Sequence, residues 1–397
     1  MKKGWQTKTL GEMCEVMNGG TPKTGLPEYW DGKHRWITPA EMGKRLSPYV
    51  GDTERKITDL GLRNSSAQIL PPHSVILSSR APIGHLVINT APMATNQGCK
   101  GLIPGGQLQH KFLYYYLSNI VDLLNSLGTG ATFKELSGGK LKEVTIPVPP
   151  FPEQKRIVGI LDEALKGIAT AKANAEKNLQ NARALFENHL QSVFTQRGKG
   201  WVDAKLGNVC HKITDGTHIT PTYTKEGVPF LSVKNLTQGF IDFSDTRFIS
   251  VAEHEFLTRR CKPIRGDILY TKVGTTGIAQ VVDVDNEFSI FVSVALLKPK
   301  HDIIFNLYLE HFLNAPYARE QAQKRTRGMA NRNLVITDIK EIDVHFPKSL
   351  DEQRTIVAKL ESLAAETQYL ESIYQRKLTA LEELKKSLLH QAFSGRL

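Results

Sequence analysis

The side chains best suited to chemistry in this sequence are basic and amide groups in two corresponding sets of loops. Residues 77–80 (LSSR) and 269–272 (LYTK) each read as a strand that ends in a basic residue before a glycine turn. Such a residue can reach a phosphate or a base edge. Segments 128–134 and 325–333 also correspond, and the second is dense in Arg and Asn, which read guanine and adenine through paired hydrogen bonds. The candidate DNA contacts are Arg80, Asn96, Gln97, Thr132, Lys134, Lys234, Asn235, Lys272, Arg325, Arg327, Asn331 and Arg332.

The net charge of the chain supports a polyanionic ligand. Each candidate DNA contact could equally be a solvated loop residue or a turn cap, but the repetition of the pattern favours a binding role for the set. The formal net charge is +11 and the isoelectric point is near 9.3. Residues 1–150 hold 17 basic and 11 acidic side chains, a net +6, and residues 199–348 hold 20 and 17, a net +3. The excess positive charge therefore lies mainly in these two regions, where a bound polyanion would need it.

Searches for catalytic and metal-binding motifs find little. The sequence has no glycine-rich dinucleotide or P-loop motif, no His/Cys cluster with metal-ligand spacing and no nucleophile elbow. The segment 148–151 (VPPF) superficially resembles an adenine methyltransferase loop, but Val148 cannot hold the target amine. Four scattered cysteines predict reduced core thiols in a cytoplasmic protein, and no apolar run approaches the ~20 residues of a membrane span. We therefore expect neither catalytic residues nor a metal or cofactor on this chain.

The elements that position the candidate loops occur twice in tandem. A W-x4-L-G-x2-C motif begins at Trp5 and again at Trp201, and an E-Q-[KR]-x-I-V motif begins at Glu153 and Glu352. Between these motifs lie short β-like runs, turns and one aromatic-rich helical stretch per half, typical of a small α+β domain. The predicted divisions are 1–151, 152–198, 199–348 and 349–397.

The segments 152–198 and 349–397 predict long helices. Apolar or small residues recur every three or four positions, at 157, 161, 164, 168, 171, 175, 179, 182, 186, 190 and 193, and again at 356, 360, 363, 367, 370, 374, 378, 381, 384, 388 and 392. This spacing is typical of a coiled-coil seam, and the small residues of the first helix suit the bulkier ones of the second. The alternative is that each helix packs on its own globular region or on another chain. The predicted seam and partner contacts include Ile157, Leu161, Leu190, Phe194, Ile356, Leu360, Leu389 and Phe393.

Connectivity then predicts an antiparallel arrangement. The first helix delivers the chain to the second globular region, so the second helix must run back in order to pair with it. About 45 residues at ~1.5 Å per residue would span roughly 65 Å. Two heads at that separation, related by a pseudo-two-fold axis, would meet one DNA duplex about two turns apart, at ~34 Å per turn.

The tandem layout, the W-x4-L-G openings, the E-Q-[KR]-x-I-V helix starts and the Leu-x3-Phe helix ends resemble the specificity subunit of type I restriction–modification systems. The resemblance covers essentially the whole chain and implies an α+β fold. Two mixed target-recognition domains, 1–151 and 199–348, would form a tandem pseudo-two-fold repeat joined by two long antiparallel helices in a coiled coil. Each domain would read one half of an asymmetric, bipartite DNA target.

The resemblance also implies partners and the location of the chemistry. Two adenine methyltransferase subunits and restriction or motor subunits would assemble on this chain, and the sites for S-adenosylmethionine, ATP and Mg²⁺ would belong to them. Two alternatives stay open at this point: a self-sufficient DNA methyltransferase or nuclease, and a coiled-coil DNA-binding adaptor outside restriction.

Overall fold

The computed structural model describes residues 4–80, 82–130, 134–196, 198–328 and 332–397. The chain forms two compact units. The first unit comprises Met1–Ala175 and Arg376–Leu397, and the second comprises Glu176–Gln375. In the described residues, no helix is long and apolar enough to cross a membrane.

The first unit is built from short strands and helices and from parts of both long helices, α7 and α12. The strands of the first half are β1 (Gln6–Thr9), β2 (Cys14–Asn18), β3 (Trp30–Ile37), β4 (Tyr49–Val50), β5 (Arg55–Ile57), β6 (Val75–Ser79), β7 (Ile83–Asn89), β8 (Ala94–Thr95), β9 (Cys99–Pro104) and β10 (Thr145–Val148). Its helices are α1 (Leu10–Met13), α2 (Pro39–Gly43), α3 (Asp59–Arg63), α4 (His110–Asn119), α5 (Val121–Leu127), α6 (Gly138–Glu143) and α7 (Phe151–Thr195).

The second half repeats this plan. Its strands are β11 (Trp201–Lys205), β12 (Cys210–Asp215), β13 (Tyr223–Thr224), β14 (Val228–Leu231), β15 (Arg247–Ile249), β16 (Ile268–Thr271), β17 (Ala279–Val281), β18 (Ser289–Ile290), β19 (Val294–Pro299) and β20 (Asp343–Pro347). Its helices are α8 (Val251–Thr258), α9 (Asn306–Asn314), α10 (Pro316–Arg325), α11 (Ile336–Lys340) and α12 (Leu350–Ser394).

The sheets of the two units follow the same order, with one additional edge strand in the main sheet of the first unit (β4) and one in the smaller sheet of the second (β13). A two-stranded antiparallel ribbon closes each unit, β1 with β10 and β11 with β20. The main sheet has the order β2-β9-β6-β7-β4 in the first unit and β12-β19-β16-β17 in the second. A smaller sheet has the order β5-β3-β8 or β13-β15-β14-β18, with β3/β8 and β14/β18 parallel. The predicted α+β fold with a tandem repeat and two long helices is confirmed.

The E-Q motif fastens each long helix to its unit. The buried amide of Gln154 accepts from the backbone N–H of Gln109, at the start of α4, at 2.9 Å. It donates to the carbonyls of Gln107 and Pro149, both at 2.9 Å. These bonds satisfy backbone groups that burial would otherwise leave unpaired.

Gln353 repeats the arrangement in the second unit. Its amide accepts from Phe305 N–H at 2.8 Å and donates to the carbonyls of Ile303 at 3.1 Å and Pro347 at 2.8 Å. Each Gln side chain thus joins three structural points: the long helix, the strand that precedes it and the loop before α4 or α9.

Within each unit the long helices pair in opposite directions. In the first unit Lys172 of α7 forms an ion pair with Glu382 of α12 at 2.6 Å. Earlier on α7, Arg156 donates to the carbonyl of Leu397 just beyond α12 at 2.7 Å, so the contact moves back on α12 as it moves forward on α7. In the second unit Arg183 pairs with Glu371 at 2.9 Å, and farther along α7 Phe194 shares a core with Leu360. The small seam residues Ala175 and Ala182 are buried, as predicted, whereas Leu370 and Leu384 are exposed. The seam spacing is therefore wrong at these two positions.

The helix ends contribute to the cores of the units as well as to the seam. In the first unit, residues from the start of α7 and the end of α12 join one cluster with α4 and the main sheet. Phe393 meets the rings of Phe112 and Tyr116 edge-on, at 5.1 and 5.2 Å between centroids. In the second unit Phe194 meets Tyr308 and Phe312 in the same way. The predicted seam residues Ile157, Leu161, Leu389 and Phe393 belong to the first core, and Leu190, Phe194 and Leu360, with half-buried Ile356 against them, belong to the second.

Candidate nucleic-acid interface

In each unit a backbone hydrogen bond joins the end of a central strand of the main sheet to a loop that comes much later in the sequence. In the first unit Leu136 N–H donates to the carbonyl of Ser79 at 3.0 Å, beyond which the chain reaches Arg80. Thr129 and Glu135 exchange two backbone hydrogen bonds of 3.0 and 2.9 Å and close a hairpin. Thr132, a candidate contact, lies outside the described residues.

The second unit contains the same construction. Leu334 N–H donates to the carbonyl of Lys272 at 2.8 Å, and Arg327 and Asn333 exchange two backbone bonds of 2.9 Å. Asn331, another candidate contact, is likewise outside the described residues. The two strand–loop junctions are the candidate interface, because they bring basic residues from distant segments together.

The pairing corrects the correspondence expected between the strand ends. Arg80 forms an isolated bridge with Glu135, and Val273 forms the matching bridge with Asn333. The counterpart of Arg80 is thus Val273, one residue beyond Lys272. Lys272 points inward: it is 4% exposed, and its ammonium lies 3.2 Å from the carboxylate of Asp215. The prediction that Lys272 presents its charge to a phosphate is wrong, because a buried cation with a buried partner would be costly to separate.

The side chain of Arg80 is accessible to solvent but already forms an ion pair. Its guanidinium lies 2.7 Å from the carboxylate of Glu135, and the buried ammonium of Lys100 lies 3.8 Å from the same group. The hydrogen bond from Arg80 is the main cause that holds the pKa of Glu135 below its usual range. Two cations thus share one carboxylate, which leaves the junction with a positive charge.

Of the two amide side chains predicted to contact DNA in the first unit, Asn96 is hydrogen-bonded within its turn and Gln97 is exposed. Asn96 donates from Nδ2 to the hydroxyl of Thr21 at 3.0 Å, and its Oδ1 accepts from Gly98 N–H at 2.8 Å. Gln97 is exposed, and so is Lys134 beside the loop tip. Gln97 and Lys134 are therefore placed where a ligand could reach them, and Asn96 organises the turn.

Lys234 and Asn235 are both predicted DNA contacts, but only Lys234 is exposed. Asn235 is 2% exposed, and its amide accepts from Ser232 N–H and donates to the carbonyls of Asp242 and Asp245. It holds the loop together and is not available to a base. Lys234 is exposed, with its ammonium 2.9 Å from the Asp245 carboxylate.

The arginines of the second junction differ in what holds them. Arg325 donates to the carbonyls of Gln321 and Glu341, both at 3.2 Å, and so caps the end of α10. Arg327 is exposed and pairs with Asp338 at 3.0 Å. Arg332 is exposed and, within the described ranges, its guanidinium has no protein partner.

Arg319 is a residue that the sequence reasoning missed. It lies on α10 and, together with Arg332 and the turn after β16, lines a hollow of about 230 Å³. A helical residue outside the repeated loops carries no motif, so only the packing of α10 against that turn reveals it.

A second feature lies outside the candidate residues named from the sequence. In the smaller sheet of the first unit, Arg55 places its guanidinium 3.8 Å from the ring centroid of Trp30. In the second unit Arg247 lies 4.4 Å from the ring of Tyr223 at the corresponding register. Stacking of this kind stabilises both partners and keeps the arginine at the surface.

The described residues include neither a metal-binding cluster nor an activated thiol. Among them, no group of three or more His, Cys, Asp or Glu side chains could hold a metal ion. All four cysteines are free and buried, and burial raises the pKa of the Cys14, Cys99 and Cys210 thiols to about 12 and that of Cys261 to about 11. Such thiols stay protonated and are poor nucleophiles at neutral pH.

The profile of the family described as "Type I restriction modification DNA specificity domain" matches residues 2–180 and 198–379. The chain belongs to the type I restriction–modification DNA specificity family. Its duplicated units are the two copies of that domain.

Individual relatives agree. The MjaIX specificity subunit of Methanocaldococcus jannaschii is 32% identical over 263 residues, which cover 61% of this chain and 61% of that one. The EcoBI specificity subunit of Escherichia coli is 25% identical over 352 residues, which cover 82% of this chain and 74% of the relative.

Solved structures share the fold. A chain from a study of complex assembly and conformational transition of a type I system has a TM-score of 0.82 at 20% identity, covering 100% of this chain and 99% of that one. The HsdS subunit of Thermoanaerobacter tengcongensis gives 0.63 at 18% identity, covering 100% and 98%. At this identity the likeness concerns the architecture alone.

Proposed function

We propose that this chain is the DNA-reading subunit of a type I restriction–modification complex, with the domain divisions 1–151, 152–198, 199–348 and 349–397. Each globular domain reads one half of a split target, and the paired long helices set the spacing. The observation that carries the proposal is the duplicated strand–loop junction, with different side chains in its two copies. Arg80 and Glu135 stand where Val273 and Asn333 stand in the second copy, so the half-sites should differ in sequence.

The relatives are named as subunits of type I restriction enzymes, which supports assembly with partner subunits. Two methyltransferase subunits and the restriction subunits assemble with this chain on double-stranded DNA. S-adenosylmethionine, ATP and Mg²⁺ bind to those partners. The four free, buried thiols suit a reducing compartment, and we place the complex in the cytoplasm.

The decisive experiment exchanges one reader and leaves the other intact. The complete complex is used to select DNA targets, or the host genome is sequenced for methylated adenine. Both should return a split motif methylated on both strands. Replacing residues 1–150 with the corresponding domain of another specificity subunit should change one half-site only. A change in both half-sites, or the absence of any split consensus, would contradict the proposal.

The spacer offers a second test. Deleting seven residues from each of α7 and α12 together shortens both helices by about 10 Å, or roughly three base pairs at about 3.4 Å each. We expect a shorter spacer and two unchanged half-sites. A control that deletes seven residues from α7 alone should destroy assembly, because the pairing register with α12 is lost.

A further inference from the structure

The second unit contains a hollow with the chemistry of a phosphate site. Its walls include Thr275 and Thr276 from the turn after β16, Arg319 and Gln323 from α10, and Arg332 from the end of the 325–333 loop. None of the lining residues is acidic. Two guanidinium groups with hydroxyl and amide donors, in a volume of about 230 Å³, favour a small anion.

The two arginines differ from their neighbours in having no partner. Within the part of the chain that the structure describes, neither Arg319 nor Arg332 makes a side-chain hydrogen bond or ion pair, and both are exposed. On the same segment Lys324 pairs with Glu320 at 2.7 Å and Arg327 pairs with Asp338 at 3.0 Å. The free charge of this surface therefore concentrates at the hollow.

The hollow is held in shape by its own backbone. Gly274 N–H donates to the carbonyl of Arg332 at 2.9 Å, and the hydroxyls of Thr276 and Thr326 lie 3.1 Å apart. Gly277 has a φ of +90°, and a Cβ there would meet Ala322 at 3.3 Å. The turn therefore stays pressed against α10 and keeps Arg332 close to Arg319 without a ligand.

A buried hydroxyl under the turn supports the assignment. Tyr270 is fully buried, its hydroxyl has no hydrogen-bond partner among the described residues, and it lies 3.7 Å from the Cβ position of Gly277. An unsatisfied buried hydroxyl is costly, so its presence beneath this turn calls for an explanation.

Among its described residues, the first unit has no counterpart of Arg319. The helix in the place of α10 is α5, with the sequence VDLLNSL, which contains no basic residue. Arg80, at the strand end, is already paired with Glu135. Lys134 takes the position of Arg332, so the described residues of the first unit place one exposed cation here and the second unit places two.

We propose that Arg319 and Arg332, with the Thr275–Thr276 turn, bind one phosphate group of the DNA backbone beside the half-site read by the second unit. The contact positions the duplex and does not read a base. The inference rests on the proposed DNA-reading function and adds to it which residues fix the register of the second reader.

The test is a salt titration of DNA binding by the full chain in its complex. Neutralising one phosphate contributes about 0.9 to the slope of log K against log salt concentration. Arg319→Gln and Arg332→Gln should each lower the slope by about that amount and leave base preference unchanged at every position. Lys324→Gln removes an equal charge from the same helix outside the hollow and should leave the slope unchanged. Arg319→Lys, which keeps the charge, should restore most of the slope.

A single neutral methylphosphonate in the duplex locates the contact. With the native chain, affinity should fall at one phosphate of the second half-site, and Arg319→Gln and Arg332→Gln should be insensitive to that substitution. An unchanged slope, a change in preference at one base, or no phosphate coupled to either arginine would overturn the inference. Thermal stabilisation of the native chain, but not of the variants, by inorganic phosphate without such coupling would also overturn it, because the hollow would then take a free anion.

The two proposals fail separately. The salt slope can be measured on a duplex of any sequence, whereas the methylphosphonate coupling is measured on the selected target. Failure to select a split target would contradict the proposed function and leave the phosphate site intact.

Discussion

Replacing Gln154 with leucine tests how the long helix is fastened to the first unit. The side chain is fully buried and makes three hydrogen bonds to backbone groups. Leucine has a similar volume and no polar atom, so the substitution leaves Gln109 N–H and the carbonyls of Gln107 and Pro149 without their partner. The helix, the preceding strand and the start of α4 lose their common contact.

The magnitude follows from the count of unsatisfied groups. A buried donor or acceptor left unpaired costs about 1–3 kcal/mol, so three groups should cost about 3 kcal/mol even at the lower end. For a unit of this size, 1 kcal/mol corresponds to about 2–4 °C in the unfolding midpoint, which gives a decrease of roughly 6–12 °C. The exposed glutamine of the same helix provides the control, and Gln180→Leu should change stability by less than about 0.5 kcal/mol.

The assay combines chemical denaturation with hydrogen exchange of single amides. In Gln154→Leu the amide of Gln109 should lose protection while that of Phe305, the equivalent donor to Gln353, keeps it. Gln353→Leu should give the reverse. A loss of less than about 1 kcal/mol relative to Gln180→Leu, or equal loss of protection at both amides, would refute the reasoning.

Three further perturbations have defined outcomes. Phe393→Ala removes a ring packed on Phe112 and should destabilise the first unit by about 3–5 kcal/mol in denaturant titrations. A loss below about 1 kcal/mol would contradict the packing of the end of α12 in the core. Glu310 has its pKa raised to about 7, chiefly by burial, with Asp283 and Glu361 adding to the rise. Because the pKa of Glu310 is higher in the folded than in the unfolded protein, stability is lost as pH rises from about 4.5 through 7. Glu310→Gln should therefore stabilise the protein by up to about 3 kcal/mol at pH 8 and hardly at all at pH 4. Equal effects at both pH values would contradict this explanation. Lys172→Glu should weaken the helix pairing, and adding Glu382→Lys should recover it, with a coupling of about 0.2–1 kcal/mol in a double-mutant cycle; no recovery would argue against the antiparallel register.

The long helices could be read from the sequence because their determinants are local. Forty-five residues with a spacing of three and four and no internal proline after Pro152 define α7, and the hydroxyl of Ser349 accepts from Glu352 N–H at the start of α12. The period also predicted which faces are buried, apart from Leu370 and Leu384. What the period could not show is that the helix ends enter the cores of the units, since the partner aromatic rings lie in distant segments.

The sheets and the interface depend on contacts that no local pattern encodes. Strand β1 pairs with β10, so Gln6 lies opposite Val148. The sequence placed Lys272 and Asn235 on the surface because a charged or amide side chain in a loop usually lies there. Asp215, 57 positions from Lys272, reverses that expectation by giving the ammonium a buried partner. Arg319 shows the opposite case, in which an ordinary helical arginine gains importance only from a turn folded beside it.

The sharing of the helices between the units has a consequence for synthesis of the chain. The second unit is one continuous segment, Glu176–Gln375, so all of its contacts are available once that stretch has left the ribosome. The first unit is discontinuous, and its aromatic centre stays open until Phe393 is made. The part of the first unit that is translated first therefore reaches its native packing only after the second unit is complete, and a chain that stopped before Phe393 would leave that packing unfinished.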